Sequence, residues 1–205
     1  GDEEQFDQLL IGLLNAIERE APDETGFQGR AMDLRVQILA TIRTMFRHNE
    51  KYFSAHYQRV LPALVKARKN YENKRHIVKE MEDFVEDIAS LCDAEDVVVP
   101  IVDSVWGEKG DEPGYRAVRM AVFELDAIVR RLNSSNIPDS VVQDVGAFGK
   151  RVLLWSRQDI RRLGLELCLT LHSVLGPEGE TKFWNAMGEM PEVKRSLLFY
   201  YLGRK

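Results

Sequence analysis

The chain has few of the features that mark secreted or membrane proteins. Among 205 residues there are only two cysteines, Cys92 and Cys168, each inside an apolar helical pattern. We expect reduced, buried thiols rather than a disulfide. No apolar run approaches the roughly 20 residues that a membrane span requires, and the acidic start GDEEQF is unlike a signal peptide. The sequence therefore predicts no membrane partner.

An excess of positive charge is also missing. The chain has 28 basic and 33 acidic residues, which give a formal net charge of −5 at pH 7. Binding to nucleic acid requires a net basic surface or a concentrated basic stripe, because it depends on neutralising phosphates. Nucleic acid is therefore not a predicted partner.

Motifs that carry catalysis are absent from the sequence. The four histidines are far apart and none belongs to an HExxH motif. There is no GxGxxG or GxxxxGK[ST] phosphate loop and no GxSxG elbow. We predict a protein that is not an enzyme and that has no cofactor or metal.

The chain does contain a long series of amphipathic helical patterns. Phe6, Leu10, Leu14 and Ile17 begin the series with the i, i+4, i+8, i+11 spacing of one helix face. No segment shows the period-two alternation of a strand. The sequence predicts an all-α protein, with later helices over 50–69, 73–91, 94–106, 114–132, 139–155 and 158–175.

The helical patterns repeat at intervals of about 40 residues. Pro62 and Pro100 lie in matching apolar runs, RVLPALV and VVVPIVD. The second helix of each unit opens with a basic residue, namely Arg35, Arg75, Arg119 and Arg161. Two helices per unit at this period indicate HEAT-type repeats, which stack into a right-handed α-solenoid. We predict one domain over 1–205, part of a longer protein, with about four helix pairs and a C-terminal cap over 177–205.

Two basic clusters that contain aromatic residues stand at turns inside repeats. In a HEAT solenoid these turns align along one edge, where arginine and aromatic side chains can anchor an acidic protein surface. The candidate partner-binding residues are Lys69, Tyr71, Lys74, Arg75, Trp155, Arg157, Arg161 and Arg162. Two alternatives stay open: charged turns also keep a solenoid soluble, and Arg161 also suits a scaffold role, bonding its own turn or an adjacent repeat.

Three segments in the same order resemble the C-terminal domain of the CLASP family of microtubule-associated proteins. They are FDQLLIGLLNAI near the start, IRRLGLELCLTLHSVLG over 160–176, and the terminal EVKRSLLFYYLGRK. The resemblance covers nearly the whole chain and is to a divergent, fungal-type member. It implies a TOG-like helical domain without enzymatic activity that recruits kinetochore or plus-end adaptor proteins. The implied location is the cytoplasm and cytoskeleton, at the spindle and kinetochore.

Direct binding of tubulin is the alternative function. Tubulin-binding TOG domains usually have a tryptophan in the first turn inside a repeat, whereas this turn reads ETGFQGR with Phe27. Lys74, Arg75 and Arg161 nevertheless occupy turn positions where TOG domains place basic tubulin contacts. A remote alternative is a HEAT-like DNA glycosylase with Asp159 near Trp155, which the acidic charge balance disfavours.

Overall fold

The computed structural model describes residues 1–19 and 34–203. Phe27 of the first turn and the terminal Arg204 and Lys205 lie outside the described residues. No strand occurs in the described parts of the chain. The helices are α1 (Asp2–Ile17), α2 (Leu34–His48), α3 (Glu50–Phe53), α4 (Tyr57–Arg68), α5 (His76–Ala89), α6 (Ala94–Trp106), α7 (Glu112–Val129), α8 (Asp139–Leu153), α9 (Gln158–Leu175), α10 (Glu180–Met187) and α11 (Glu192–Leu202).

The helices form two layers that run the length of the domain. In the first layer α1, α4, α6, α8 and α10 pack side by side in that order, and in the second α2, α5, α7, α9 and α11 do the same. Each pair contributes one helix to each layer, which is the arrangement of a HEAT-type solenoid. The predicted all-α solenoid is confirmed, and the helix bounds agree with the sequence patterns within a few residues.

The matching prolines occupy equivalent places in successive first-layer helices. Pro62 lies in the middle of α4 and Pro100 in the middle of α6. A proline inside a helix removes one backbone hydrogen bond and normally bends or breaks the helix. Its recurrence in neighbouring repeats supports the repeat register that the sequence predicts.

Helix ends follow local capping chemistry. The Asp93 carboxylate accepts from the Glu95 backbone N–H (3.1 Å) at the start of α6, and Asp111 does the same from Gly114 (2.9 Å) in α7. These are the N-cap bonds that satisfy otherwise unpaired helix donors. Helix α9 ends at Gly176, whose φ of 69° favours glycine.

The last helix buries one face and exposes another. Leu198 is fully buried, but α11 also has a second apolar stripe on the opposite side. Val193 and Tyr200 on this stripe are 78% and 52% exposed. Helices α10 and α11 therefore continue the two layers as a fifth pair, and the outer face of α11 remains open.

The core is one continuous cluster from α1 to α11. Cys168 is buried and Cys92 half-buried, and both thiols are free. Burial raises their pKa values to about 12 and about 11 respectively. These are unreactive thiols at neutral pH, because only the thiolate is a nucleophile.

Candidate partner-binding edge

The turns between paired helices line up along one side of the domain, here called the turn edge. It comprises residues 69–75, 107–111, 154–157 and 188–191. Contacts join successive repeats along this edge. Lys69 Nζ lies 2.6 Å from Glu108 Oε1, and Lys150 Nζ, near the end of α8, donates to the Glu189 carbonyl at 3.1 Å. The two basic clusters of the sequence thus share an edge, as the repeat arrangement predicts.

An acidic turn separates the two basic clusters. Glu108 of the third turn pairs with Lys69, and Glu112, which opens α7, pairs with Arg157 at 2.6 Å between Oε2 and Nη1. These carboxylates reduce the positive charge that the flanking turns present to solvent. The turn edge is therefore a chain of ion pairs rather than a continuous basic surface.

Arg157 is engaged on three sides within the protein. Besides Glu112, its Nε lies 2.8 Å from Asp159 Oδ1, and its guanidinium sits 4.5 Å above the centre of the Tyr115 ring. The hydrogen bond to Glu112 is the main cause that raises the pKa of Arg157. A partner that bound Arg157 would have to compete with these contacts.

Three of the four recurring arginines form bonds within the scaffold. Arg119 forms an ion pair with Asp159 of the next repeat. Arg161 Nη1 donates to the carbonyls of Trp155 (3.3 Å) and Ser156 (2.5 Å), which closes the turn before α9. Arg35 Nη1 donates to the Arg19 carbonyl at 3.0 Å. The scaffold interpretation of Arg161 is therefore supported.

Tyr71 lies in the core rather than on the docking surface. Only 5% of it is exposed, and its hydroxyl accepts a 2.7 Å hydrogen bond from Nε of Arg35, itself a buried residue. The backbone carbonyl of Tyr71 accepts from the buried guanidinium of Arg68. The polar residues around Tyr71 suggested an exposed ring, but the side chain points into the core and bonds a buried arginine. Its ring is not available as a surface anchor.

Trp155 and Arg162 remain at the surface, but neither is unengaged. Trp155 is half-buried and packs edge-to-face on Tyr115, with 6.0 Å between ring centroids. The side chain of Arg162 is 78% exposed and pairs with Glu166 one turn later at 3.2 Å. An exposed i, i+4 pair of this kind contributes little to stability, so Arg162 can change partners at low cost.

Lys74 and Arg75 are the candidate cations that stay unengaged in the described residues. Both are exposed, and neither side chain forms a hydrogen bond or ion pair with any part of the chain that the structure describes. They border a pocket of about 260 Å³ together with Val36 and Ile77. This corner combines positive charge with an apolar wall.

A candidate anchor that the sequence interpretation missed lies at the end of α6, directly before the third turn. Trp106, the last residue of α6, is 42% exposed, and the Arg151 guanidinium stacks 4.2 Å from its ring centre. Arg151 Nη2 also donates to the Trp106 carbonyl at 2.6 Å, which fixes the stack. Leu154 on the next turn is 41% exposed. The available signal was a tryptophan directly before a glycine-rich turn, VWGEKG.

The described residues show no arrangement that could hold a metal ion. No group of three or more His, Cys, Asp or Glu side chains in residues 1–19 and 34–203 is placed to hold a metal ion. Asp159 is bound by both Arg119 and Arg157, so its carboxylate is occupied. In the same ranges, no helix has both the length and the apolar character needed to cross a membrane.

Sequence comparison relates the chain to fungal proteins over its whole length. It is 37% identical over 206 residues to Protein stu1 of Aspergillus fumigatus, and 34% identical over 206 residues to Protein STU1 of Coccidioides immitis. The match covers all of this chain in both cases. The chain is a relative of the fungal Stu1 proteins. These are CLASP-like, so the resemblance to the CLASP family is confirmed.

The relationship to Stu1 concerns one part of much larger proteins. The chain spans 15% of the Aspergillus fumigatus protein and 16% of the Coccidioides immitis protein. A more distant relative, Protein STU1 of Gibberella zeae, is 26% identical over 204 residues. No protein-family model matches the chain.

Comparison of structures supports the same fold class. A solved chain from "Structural Basis of Microtubule Plus End Tracking by XMAP215, CLIP-170 and EB1" superposes with a TM-score of 0.67. The match covers 98% of this chain and 82% of the other at 14% sequence identity. At that identity the similarity concerns the fold, which is the HEAT-type solenoid of a TOG domain.

Proposed function

We propose that this domain is a non-catalytic protein-interaction module of a Stu1-type, microtubule-associated protein, and that it recruits kinetochore or plus-end adaptor proteins. Its place of action would be the cytoplasmic cytoskeleton, at the spindle and kinetochore. The similarity to Stu1 over the whole chain supports the family context, and the TOG-type fold supports a binding role. HEAT-type solenoids provide extended surfaces for partners.

The observation that carries this proposal is the charge pattern of the turn edge. Glu108 and Glu112 neutralise cations of both basic clusters, whereas Trp106 remains exposed with Arg151 stacked on it. Tryptophan and arginine are the residues most often found as energetic anchors of protein interfaces. The edge thus suits a partner with a pocket for an aromatic side chain. It is less suited to a partner that binds through a broad acidic surface.

Direct tubulin binding is a second candidate, favoured by Lys74 and Arg75. These two cations are exposed and stand together on the second turn. An acidic partner surface would gain two new ion pairs there without displacing any partner among the described residues. If the domain binds tubulin, tubulin would contact the corner formed by Lys74 and Arg75.

Light scattering coupled to gel filtration distinguishes the two functions. The domain is mixed with αβ-tubulin at low salt, beside a Lys74→Glu/Arg75→Glu variant and an Arg47→Glu/Lys51→Glu control, which makes the same charge change at exposed residues away from the turn edge. The recruitment proposal predicts that the wild-type domain elutes separately from tubulin. A tubulin complex that the first variant loses and the control retains would establish tubulin binding instead.

A further inference from the structure

A groove separate from the exposed cations of the turn edge opens on the second layer. It lies between α5, α7 and α9 and has a volume of about 370 Å³. That volume is in the range of sites that hold a side chain or a small ligand. Its floor is mainly apolar, and the residues that form it are Val78, Met120, Phe123, Leu163 and Leu167.

Apolar groups in this floor are incompletely covered by the protein itself. Phe123 of α7 and Leu163 of α9 are only partly buried, although they pack against the core. Water in contact with such groups is released when an apolar partner covers them, which favours binding. The groove therefore offers a hydrophobic contribution to docking.

Of the three carboxylates that line the groove, two are already paired. Asp126 accepts from Arg130 Nε at 2.8 Å and from Thr170 Oγ1 at 2.7 Å, and Glu166 pairs with Arg162. Glu82 forms no hydrogen bond or ion pair with any described residue. Burial raises the pKa of Glu82, while the positive charges of Arg68 and Lys79 oppose that shift.

The cations that line the groove are committed to other partners. Arg68 is 4% exposed and donates to the Tyr71 carbonyl and, at 2.5 Å, to Asn73 Oδ1. Arg119 is paired with Asp159. Among the ionisable groups that line the groove, Glu82 is thus the one without a hydrogen bond or ion pair to any described residue. A lysine or arginine suits such a half-buried carboxylate, because its aliphatic chain can cover apolar groups while its charged end pairs with the carboxylate.

We propose that the groove between α5, α7 and α9 docks an apolar peptide segment of a protein partner, and that an arginine or lysine of this segment pairs with Glu82. The aliphatic part of the basic side chain would lie along Phe123 and Leu163, and its charge would reach the carboxylate. This site does not depend on the function proposed for the turn edge. It provides a second contact surface, on the second layer of helices.

The test uses a phage library of random 16-residue peptides selected on the whole domain. Peptides that bind are expected to combine apolar residues with a basic one. The dissociation constant of a selected synthetic peptide is then measured by fluorescence anisotropy. Glu82→Gln should weaken binding about tenfold or more, since a bond to a charged group is lost. Asp87→Asn on α5, which removes the same charge outside the groove, should leave binding unchanged.

A charge exchange makes the test specific to this pair. Glu82→Lys should abolish binding of the selected peptide, and a peptide with glutamate in place of its basic residue should restore it. Circular dichroism establishes that each variant remains helical. The proposal is overturned if no peptide is enriched, if the enriched peptides are acidic, or if Glu82→Gln and Asp87→Asn have equal effects. It is also overturned if the free domain forms a dimer that Phe123→Glu dissociates, because a second copy would then occupy the groove.

Discussion

Lys69 and Glu108 join the second and third turns of the edge through an ion pair with 2.6 Å between Nζ and Oε1. The Lys69 side chain is 36% exposed, and that of Glu108 is only 17% exposed. Together with Glu112 and Arg157, this pair places acidic groups between the two basic clusters. The positive charges of Lys69 and Arg157 are therefore neutralised by carboxylates from other parts of the sequence.

Removing those acidic groups should create the basic edge that the native protein lacks. In a Glu108→Gln/Glu112→Gln variant, Lys69 loses its carboxylate partner and Arg157 keeps only Asp159, so both cations become more available to an anion. We expect measurable binding to αβ-tubulin at low salt, falling as salt is added because the attraction is electrostatic. Asp87→Asn/Asp103→Asn has the same net charge and should not bind. Equal tubulin binding by both variants would show that net charge, not the turn edge, is responsible.

The hydrogen bond from Arg35 to the Tyr71 hydroxyl should contribute to stability rather than to partner binding. Tyr71→Phe deprives a buried guanidinium of this acceptor. We expect the free energy of unfolding to fall by about 1 to 2 kcal/mol, measured by urea denaturation. Tyr52→Phe is the control, because no hydrogen bond of the Tyr52 hydroxyl occurs within the described residues. An unchanged urea midpoint for Tyr71→Phe would contradict the core role of this residue.

Close packing of α8 on α9 depends on Gly164. A Cβ atom there would lie 2.4 Å from the Leu153 backbone nitrogen, and backbone cannot move aside as a flexible side chain can. Gly164→Ala should therefore cost about 3 kcal/mol of stability. Gly12→Ala has no atom within 4 Å of the new Cβ and should stabilise α1 by about 0.5 to 1 kcal/mol. Thermal unfolding of both variants checks the opposite signs.

Glu124 should make stability fall as the pH rises. Its side chain is fully buried, neither oxygen has a hydrogen-bond partner in the described residues, and burial raises its pKa well above the usual range. The folded state therefore holds this proton more tightly than the unfolded state, whose glutamate pKa is about 4.3. Stability from the protonated group is complete below that value and is lost as the pH rises toward the folded pKa.

Substitution by an uncharged residue should remove this pH dependence. Above pH 4.3, and below the folded pKa of Glu124, the stability of Glu124→Leu relative to wild type should increase by about 1.4 kcal/mol per pH unit. Glu124→Gln separates loss of charge from change of shape, because glutamine has nearly the shape of glutamate but cannot ionise. Urea midpoints between pH 4 and pH 8 measure the effect. Parallel curves for wild type and both variants would show that folding does not raise the pKa of Glu124 and would contradict this prediction.

The fold could be predicted because periodicity is a local property of the sequence. Apolar spacing, Pro62 and Pro100, and the recurring arginines each report on one repeat, and repeats contact mainly their neighbours. The surface could not be predicted in the same way, since it depends on which charges meet across repeats. Glu108 reaches Lys69 and Asp159 reaches Arg119 over about one repeat length, which no single helical pattern reveals.

Whether the domain positions a Stu1-type protein is tested most directly in living cells. The full-length Aspergillus fumigatus protein is labelled with a fluorophore, and three forms of it are compared. In the first its matching segment is replaced by this domain, in the second by the Trp106→Ala/Arg151→Ala variant of this domain, and in the third the segment is deleted. We expect spindle enrichment with the intact domain, and equal loss of enrichment with the variant and the deletion. Unchanged spindle enrichment after the deletion would contradict this expectation.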